Sequence, residues 1–446
     1  MNYDDDEVPF DLPYTITGNT NDLTAHQKDI FDGIIREINN MKNNVISLTG
    51  QAGVGKTYVT GKLISYLVKH YPDKVIVATA PTHKALNVIR QNLLDVNIET
   101  KTIHSFLNLK LTNNYENGMQ ELLANTKYDK REICDLLIID ESSMISYELV
   151  DFLESAVDDG RVKQVLMIGD KNQLLPPADN ETTDDIPLVH IDSEYNLKEI
   201  VRQAADNTII QKADKLRELI ENKDFKDLRG LFDDIDHNDQ NIKIVNSLHE
   251  MMKHYFNNDT DDKIVAAYTN NKVDSYNTSI RNYNLKSQDN PYLLAGDVIV
   301  LDGVYKVFDD IVHRNGAVLE VERAELLEND NVKYWKVWVK EGDPIKVIDI
   351  HSKKAFKKKL SDIAKEAKKS KTPRKIWKEF YSLKEEFVDF KYNFASTCHK
   401  LQGSDYDYVY IDFTNICKYQ DFGADTMYRL IYVALTRARK QAIIYV

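Results

Sequence analysis

Short apolar runs alternate with helical stretches along the first 180 residues of the chain. Continuous runs of this length predict buried strands, and strands that alternate with helices predict a parallel α/β sheet. The same texture returns over about 196–280 and again over 395–446, which predicts a second sheet domain. The runs that carry this prediction are residues 45–49, 75–80, 136–140 and 164–169, then 263–267 and 442–446.

Two stretches depart from this pattern. Residues 106–132 are polar and Asn-rich, which favours a hairpin. Residues 292–350 contain short β runs around the turn Asn315-Gly316, which predicts a small barrel. The Lys-rich residues 352–390 are predicted to form helices. The barrel and the basic helices would then interrupt the second α/β domain.

Charge and cysteine content limit the possible partners and the cellular compartment of the protein. The 446-residue chain has a net charge of −13, but residues 353–379 alone hold twelve Lys or Arg against three Asp or Glu. A negative total does not exclude nucleic acid, because a motor can grip it in a local groove. Three cysteines favour a reducing, intracellular setting over a disulfide scaffold. No apolar run approaches the ~18 residues of a membrane span, so we expect no membrane partner.

Residues 50–57 read GQAGVGKT, a complete phosphate loop that follows a predicted strand. Glycines let the backbone turn tightly and aim its N–H groups at phosphate oxygens. Lys56 would reach the β- and γ-phosphates, and the Thr57 hydroxyl would bind Mg²⁺. The phosphate-binding residues predicted here are Gly50, Gln51, Ala52, Gly53, Val54, Gly55, Lys56 and Thr57.

Two further strand ends carry candidate catalytic groups. The run at 136–140 ends in Asp140-Glu141, at the sheet edge where ligands bind in parallel sheets. Asp140 would hold Mg²⁺, and Glu141 would orient and deprotonate the attacking water. The next strand leads to Gln173, which could sense the γ-phosphate.

Taken in order, these motifs resemble those of superfamily 1 helicases, in the group of the Dda helicases of T-even bacteriophages and RecD. The resemblance covers essentially all of residues 21–446. The matching segments are 23–27 (Q motif), 80–85 (Ia), 102–105 (Ib), 140–144 (II), 169–173 (III), 199–203 (IV), 395–403 (V) and 432–439 (VI).

The resemblance implies an α/β fold with two RecA-like motor domains. The expected divisions are a flexible acidic tail (1–20), a first motor domain (21–105 and 133–185) with a hairpin insertion (106–132), and a second motor domain (186–285 and 395–446) with an SH3-like barrel and basic helical insertion (286–394). In related helicases the hairpin carries an aromatic wedge. Met119 is the candidate for this wedge here. Trp377, in the basic run, is expected to anchor helix packing rather than to stack on bases.

The resemblance also assigns residues. Gln27 would read adenine and Gly403 would lie against the nucleotide, while Arg202 and Arg437 would stabilise charge on the γ-phosphoryl group. The implied cofactors are ATP and Mg²⁺. The implied DNA contacts are Pro81, Thr82, His83, Thr102, His104, Thr397 and His399.

The expected activity is ATP-dependent 5′→3′ translocation on single-stranded DNA with separation of duplex. The expected partners are single-stranded and fork DNA, with replication or single-strand-binding proteins as candidates. We expect a monomer in the cytoplasm, which would be the host's if a phage encodes the chain. Two alternatives stay open: a phosphate-loop ATPase that remodels proteins, and a translocating subunit of a nuclease complex. The remodelling alternative predicts no response of ATP hydrolysis to oligonucleotides.

Overall fold

Two parallel sheets form the framework of the molecule, which we analysed in a computed structural model. The structure describes residues 22–41, 44–51, 53–93, 96–124, 133–174, 190–199, 207–225, 228–285, 292–307, 310–418 and 423–446. The predicted tail at 1–20 lies outside these residues. Helices and strands are numbered below in chain order.

The first sheet has six parallel strands in the order β3-β2-β6-β7-β1-β8. Apolar clusters cover both faces, as a parallel sheet requires. Its strands are β1 (Val45–Gly50), β2 (Ile76–Ala80), β3 (Glu99–Thr102), β6 (Cys134–Ile139), β7 (Val162–Gly169) and β8 (Ser193–Leu197). Its helices are α1 (Ala25–Asn40), α2 (Lys56–His70), α3 (His83–Asn92), α4 (Ile103–Phe106) and α5 (Tyr147–Asp158), with a 3₁₀ turn at Ser142–Met144.

The second sheet has five parallel strands in the order β18-β10-β19-β20-β9. These are β9 (Ile242–Val245), β10 (Lys263–Ala267), β18 (Ala395–Thr397), β19 (Tyr406–Asp412) and β20 (Ala438–Tyr445). The helices are α6 (Thr208–Glu221), α7 (Leu248–Asn257), α8 (Asn270–Leu285), α11 (Cys398–Leu401), α12 (Phe413–Cys417) and α13 (Ala424–Thr436), with a 3₁₀ turn at Arg229–Phe232.

The domain boundary predicted at 185–186 is wrong for strand β8. This strand pairs in parallel with β1, so residues 193–197 complete the first sheet rather than begin the second domain. The sequence did not reveal the strand because its residues, SEYNL, are mostly polar. A strand at the edge of a sheet can be polar, since one side of it meets solvent.

A five-stranded antiparallel sheet interrupts the second domain, in the order β16-β15-β14-β11-β17. Between α8 and β18 the chain forms β11 (Val298–Leu301), β12 (Tyr305–Val307), β13 (Asp310–His313), β14 (Val318–Asn329), β15 (Val332–Val339), β16 (Ile345–Ile348) and β17 (Phe390–Tyr392). Strand β14 is long and ends where Asp330 and Asn331 both adopt positive φ and form a tight turn to β15. The name SH3-like barrel for this sheet remains a prediction.

The hairpin and the basic helices pack against each other. The hairpin is β4 (Leu109–Asn113) and β5 (Gln120–Ala124), and the helices are α9 (Lys353–Lys369) and α10 (Pro373–Glu385). Trp377 is buried against the hairpin turn, which confirms it as a packing anchor. A Cβ on Gly118 would come within 2.2 Å of the indole, so only glycine fits there. Tyr381 donates a hydrogen bond to the Gly118 carbonyl at 2.7 Å.

Among the described helices, none is both long enough and apolar enough to cross a bilayer.

Candidate active site

The phosphate loop connects β1 to α2 at the carboxyl edge of the first sheet. Gly53 and Gly55 take φ values of 87° and 84°, which side-chain-bearing residues rarely adopt. Gly55 is the N-cap of α2 and offers no side chain to its N–H groups. These donors therefore face the cleft, where the helix dipole favours an anion. Lys56 donates to the carbonyls of Gly50 and Gln51 at 2.5 and 2.9 Å, which holds its ammonium at the loop mouth.

Gln27 holds the phosphate loop in place through its side-chain hydrogen bonds. Its side-chain amide donates to the Val54 carbonyl at 3.0 Å, and its Oε1 accepts from the Thr24 amide at 3.1 Å. The residue also completes a capping box at the start of α1. Although Gln27 lines the cleft, both ends of its amide already have protein partners. Its contribution to the site therefore includes shaping the loop, and adenine reading remains a prediction.

Asp140 and Glu141 follow β6 at the same sheet edge. The Glu141 amide donates to Asp140 Oδ1 at 2.9 Å, and Glu141 has a positive φ of 52°. Burial raises the pKa of both carboxyl groups, and the charge of Glu141 adds to the effect on Asp140. Arg437 and then Lys56 act on the pKa of Glu141 in the opposite direction. A cation near the γ-phosphate would thus favour the ionised, basic form of Glu141.

Two further groups line the same cleft as the carboxylates. Gln173 follows β7 and is buried, and its Oε1 has no hydrogen-bond partner among the described residues. Arg437 follows α13 of the second domain and is 5% exposed. Its guanidinium donates to the Val433 and Ser404 carbonyls at 3.3 and 3.4 Å and lies 3.6 Å from Asp405. These contacts fix the arginine in the domain opposite the phosphate loop.

The cleft between the two domains has a volume of about 860 Å³. This is a normal size for a site that holds a nucleotide-sized ligand. Most of the predicted residues line it together: Gln27, Gln51, Gly53, Gly55, Lys56, Thr57, Asp140, Glu141, Gln173, Gly403 and Arg437. The structure therefore brings groups as far apart in sequence as Gln27 and Arg437 to one cavity.

Two of the remaining predicted nucleotide-site residues support the phosphate loop without lining the cleft. Gly50 and Val54 shape the loop from beneath, since Val54 is buried in the core and Gly50 packs against Leu197. Ala52 and Arg202 lie outside the described residues.

Several residues that line the cleft escaped the sequence analysis. Lys84 carried a signal, because it lies inside the segment matched to motif Ia. Burial, reinforced by the charge of Arg437, lowers the pKa of Lys84 to about 8. Ala85 lies in the same segment as Lys84, and Thr436 and Arg439 lie in the segment matched to motif VI. The others lacked any signal of type or spacing: Tyr58, Asn87, Val88, Gln91, Ser404, Asp405 and Tyr406.

The three threonines predicted to contact DNA share a structural role. Each is the N-cap of a helix that begins just after a strand, and each hydroxyl accepts a backbone N–H at 3.2 to 3.4 Å. They are Thr82 at α3, Thr102 at α4 and Thr397 at α11. A capping hydroxyl can still donate its own hydrogen. Contact with DNA phosphate is thus compatible with the cap and remains a prediction.

The predicted histidines are uncharged candidates for contact with DNA. Burial lowers the pKa of His83, His104 and His399, so these rings are neutral at neutral pH. His83 Nε2 lies 2.9 Å from the Arg314 guanidinium at the tip of the β13–β14 connection. His399 lies beside Tyr268, with ring centroids 6.0 Å apart. A neutral ring can stack on bases or accept hydrogen bonds. Pro81 precedes the Thr82 cap at the end of β2.

Known protein families match part of each of the two domains. The AAA domain family matches residues 35–179, and the UvrD-like helicase C-terminal domain matches residues 392–445. The ATP-dependent DNA helicase dda of Enterobacteria phage T4 is 27% identical over 94% of this chain and 98% of its own. The RecD subunit of the RecBCD enzyme from Buchnera aphidicola is 30% identical over 38% of this chain and 29% of its own.

The chain resembles the superfamily 1 helicases of the Dda and RecD group. Its fold agrees with this likeness. The crystal structure of the Pif1 helicase from Candida albicans superposes with a TM-score of 0.50 at 19% identity, covering 95% of this chain and 94% of that chain. The two parallel sheets are accordingly the two RecA-like domains expected from the sequence.

Proposed function

We propose that the protein is an ATP-dependent DNA helicase that moves 5′→3′ along single-stranded DNA and separates duplex DNA. One observation carries the proposal: the phosphate loop and carboxylate pair of the first domain face Arg437 of the second across a single cleft. A site built from two domains closes when its ligand bridges them and reopens when the bridge is lost. That cycle is what converts hydrolysis into movement.

The residues of the cleft can divide the work of hydrolysis. Glu141 would take the proton of the attacking water, and the buried Oε1 of Gln173 could accept a hydrogen bond from the same water. Lys56 and Arg437 would stabilise charge that develops on the transferred phosphoryl group. The donor set of Thr57 and Asp140 also suits Mg²⁺, which prefers hard oxygen ligands. Bound with the nucleotide, Mg²⁺ would neutralise phosphate charge.

The polarity of movement rests on the resemblance to the Dda group. We also propose single-stranded and forked DNA as the track, and a monomer as the working form. Motifs Ia, Ib and V, which hold the capping threonines and neutral histidines, support a nucleic-acid track over a protein-remodelling role. The match to RecD covers only part of both chains, so a nuclease-complex subunit is the less supported alternative.

Steady-state ATP hydrolysis, measured with and without single-stranded DNA, tests the proposal. A helicase should be stimulated by the DNA, and a protein-remodelling ATPase should not respond. Unwinding of 5′-tailed, 3′-tailed, forked and blunt duplexes then tests polarity. Opening from a 3′ tail alone would reject the 5′→3′ assignment while leaving the ATPase assignment standing.

A further inference from the structure

The loop that carries Gln173 is held by the opposite domain. We name residues 170–174 the sensor loop. Arg429 on α13 donates from Nη1 to the carbonyls of Lys171 and Gln173, at 2.6 and 3.0 Å. Its Nε donates to Asp425 one turn earlier at 2.6 Å, which fixes the guanidinium on the helix. A single arginine fork thus joins the backbone of the first domain to a helix of the second.

A buried hydrogen bond fastens the same loop at its first residue. The Tyr432 hydroxyl donates to Asp170 Oδ2 at 2.6 Å, and both side chains are at most 2% exposed. The other carboxylate oxygen, Oδ1, accepts the backbone amide of Asn172 at 3.0 Å. Hydrogen bonds to a charged acceptor in a buried setting are among the strong ones. Asp170 therefore transmits the position of Tyr432 to the turn that precedes Gln173.

The far end of the sensor loop has a third contact with the second domain. Gln402, which follows α11, donates from its side-chain amide to the Leu174 carbonyl at 3.1 Å. Residues of the second domain thus hold the loop at its start, middle and end.

We call the contacts of Arg429 and Tyr432 with the sensor loop the α13 clamp. Helix α13 links this clamp to the catalytic residues. Arg429 and Tyr432 are three residues apart and so share one face of the helix. The same helix ends at Thr436, and Arg437 follows at once. One rigid element therefore sets the position of Arg437 in its own domain and of Gln173 in the other.

We propose that Tyr432 is a positioning residue for ATP hydrolysis, which acts through Asp170 to hold Gln173 at the reacting phosphate and keeps it in step with Arg437. This inference rests on the proposed ATPase function. The sequence assigned no role to Tyr432, which is simply the first residue of the segment matched to motif VI. Small errors in placing a group beside the attacking water cost much of the rate, because the reacting geometry must hold within fractions of an ångström.

The chain offers a closely matched control for removal of this hydroxyl. Tyr276 on α8 donates to Asp412 Oδ2 at 2.7 Å, and both side chains are buried. This Tyr–Asp pair has the same chemistry as Tyr432–Asp170 but lies wholly within the second domain. Comparing Tyr432→Phe with Tyr276→Phe separates the loss of a buried hydrogen bond from the loss of the link between domains.

The experiment measures kcat and KM for ATP in the presence of saturating single-stranded DNA, affinity for ADP, and Tm. Tyr432→Phe should lower kcat about tenfold or more, the loss expected for one charge-assisted hydrogen bond, and should leave ADP affinity within about threefold. Tyr276→Phe should lose a similar amount of Tm and keep its kcat. Equal kcat in the two variants, with the unaltered protein active, would overturn the inference and leave the proposed function intact. An unaltered protein without ATPase activity would instead reject the proposed function.

A double substitution tests whether Tyr432 acts through Gln173. In a Gln173→Ala background, Tyr432→Phe should cause little further loss of kcat, because the group it positions is gone. Multiplying losses in the double variant would overturn the inference. Arg429→Lys gives an independent arm should Tyr432→Phe fold poorly, since lysine keeps the charge but is shorter and cannot bond Asp425 and the two carbonyls at once. It too should lower kcat more than ADP affinity, and an unchanged kcat would count against the clamp.

Discussion

At the scale of single residues, the backbone at Glu141 points to a catalytic role. A glutamate at φ 52° occupies a region that non-glycine residues seldom adopt and that is often retained at functional sites. The turn directs two carboxylates into one cleft. Glu141→Gln should keep affinity for Mg-ATP but lower kcat by about 10²- to 10⁴-fold, because the water loses its base.

The measurement for Glu141 is DNA-stimulated hydrolysis together with nucleotide binding. Lys56→Ala provides the contrast, since loss of the loop ammonium should weaken nucleotide binding and abolish turnover. Near-normal turnover in Glu141→Gln would show that another group is the base.

Arg437 differs from Lys56 because it lies across the cleft in the second domain. Its charge should act mainly on the transition state, so Arg437→Ala should lower kcat by about 10³-fold or more with little change in nucleotide affinity. Arg437→Lys should not fully rescue, since an ammonium lacks the planar fork. Nucleotide titration beside steady-state kinetics checks this. A loss of affinity with kcat intact would place the arginine in ground-state binding instead.

The raised pKa of Asp140 makes a prediction about stability without nucleotide. Burial, followed by the charge of Glu141, raises this pKa. Between the pKa of about 4 in the unfolded chain and the higher folded value, the folded state binds more protons. Stability therefore falls as pH rises through that window. Asp140→Asn should remove this cost and raise Tm by about 2 °C or more at pH 8.

The pH series itself serves as the control for Asp140→Asn. At pH 4 the folded state of the unaltered protein holds the proton and the unfolded state is about half protonated, so the gain in Tm should shrink towards zero. A gain that is constant from pH 4 to pH 8 would mean that packing, rather than charge, explains it.

At the scale of elements, the sequence was most informative where a strand is buried on both faces. Strands β1, β2, β6, β7 and β10 were predicted within two residues, because their continuous apolar runs have no other stable place. Edge strands such as β8 gave no such signal, since half of each can be polar. The tight turn at Asp330-Asn331 was missed because the sequence lacks the Asn-Gly or Asp-Gly pair typical of such turns.

The β4–β5 hairpin presents an exposed side chain at its turn. Met119 is 64% exposed there, while the turn beneath it is held by Trp377 and Tyr381. A supported apolar tip suits a wedge between separating strands. Met119→Ala should lower the unwinding rate about fivefold, equivalent to roughly 1 kcal/mol of lost contact, and leave DNA-stimulated ATPase unchanged.

Leu326→Ala is the matched control for the wedge. Leu326 is an exposed apolar residue on β14, 45% accessible, and outside the hairpin. It should leave unwinding unaltered. Equal unwinding by both variants would show that Met119 is not the wedge.

At the scale of the whole molecule, the sequence predicted most of the groups that meet in the cleft between the domains, but not how the domains contact each other. The phosphate loop, Asp140-Glu141 and Gln173 were predicted because their chemistry demands particular residue types at particular spacings, and Arg437 was predicted from the resemblance to superfamily 1 helicases. The α13 clamp was not, because a tyrosine, an arginine and backbone carbonyls carry no spacing signal. The packing of the hairpin against the basic helices gave no such signal either, because it depends on Gly118 lying against the indole of Trp377, 259 positions later in the chain.

A motor of two domains must hold one DNA strand at two places to move along it. His83 follows the Thr82 cap in the first domain, and His399 follows the Thr397 cap in the second. His83→Ala or His399→Ala should therefore uncouple rather than inactivate. ATPase without DNA should survive, while stimulation by single-stranded DNA and duplex unwinding should fall together.

The capping threonines test the helix cap and the DNA contact together. Thr82→Ser and Thr397→Ser keep a capping oxygen and should behave like the unaltered protein, whereas alanine at either position removes cap and contact together. Because salt weakens the binding of DNA phosphates in general, a variant that has lost one contact should show a deeper defect as salt is added. The assay is ATPase and unwinding across a salt series. If the histidine variants kept full stimulation by DNA at every salt concentration, the track would have to lie elsewhere, since no motor can advance on a strand that neither domain grips.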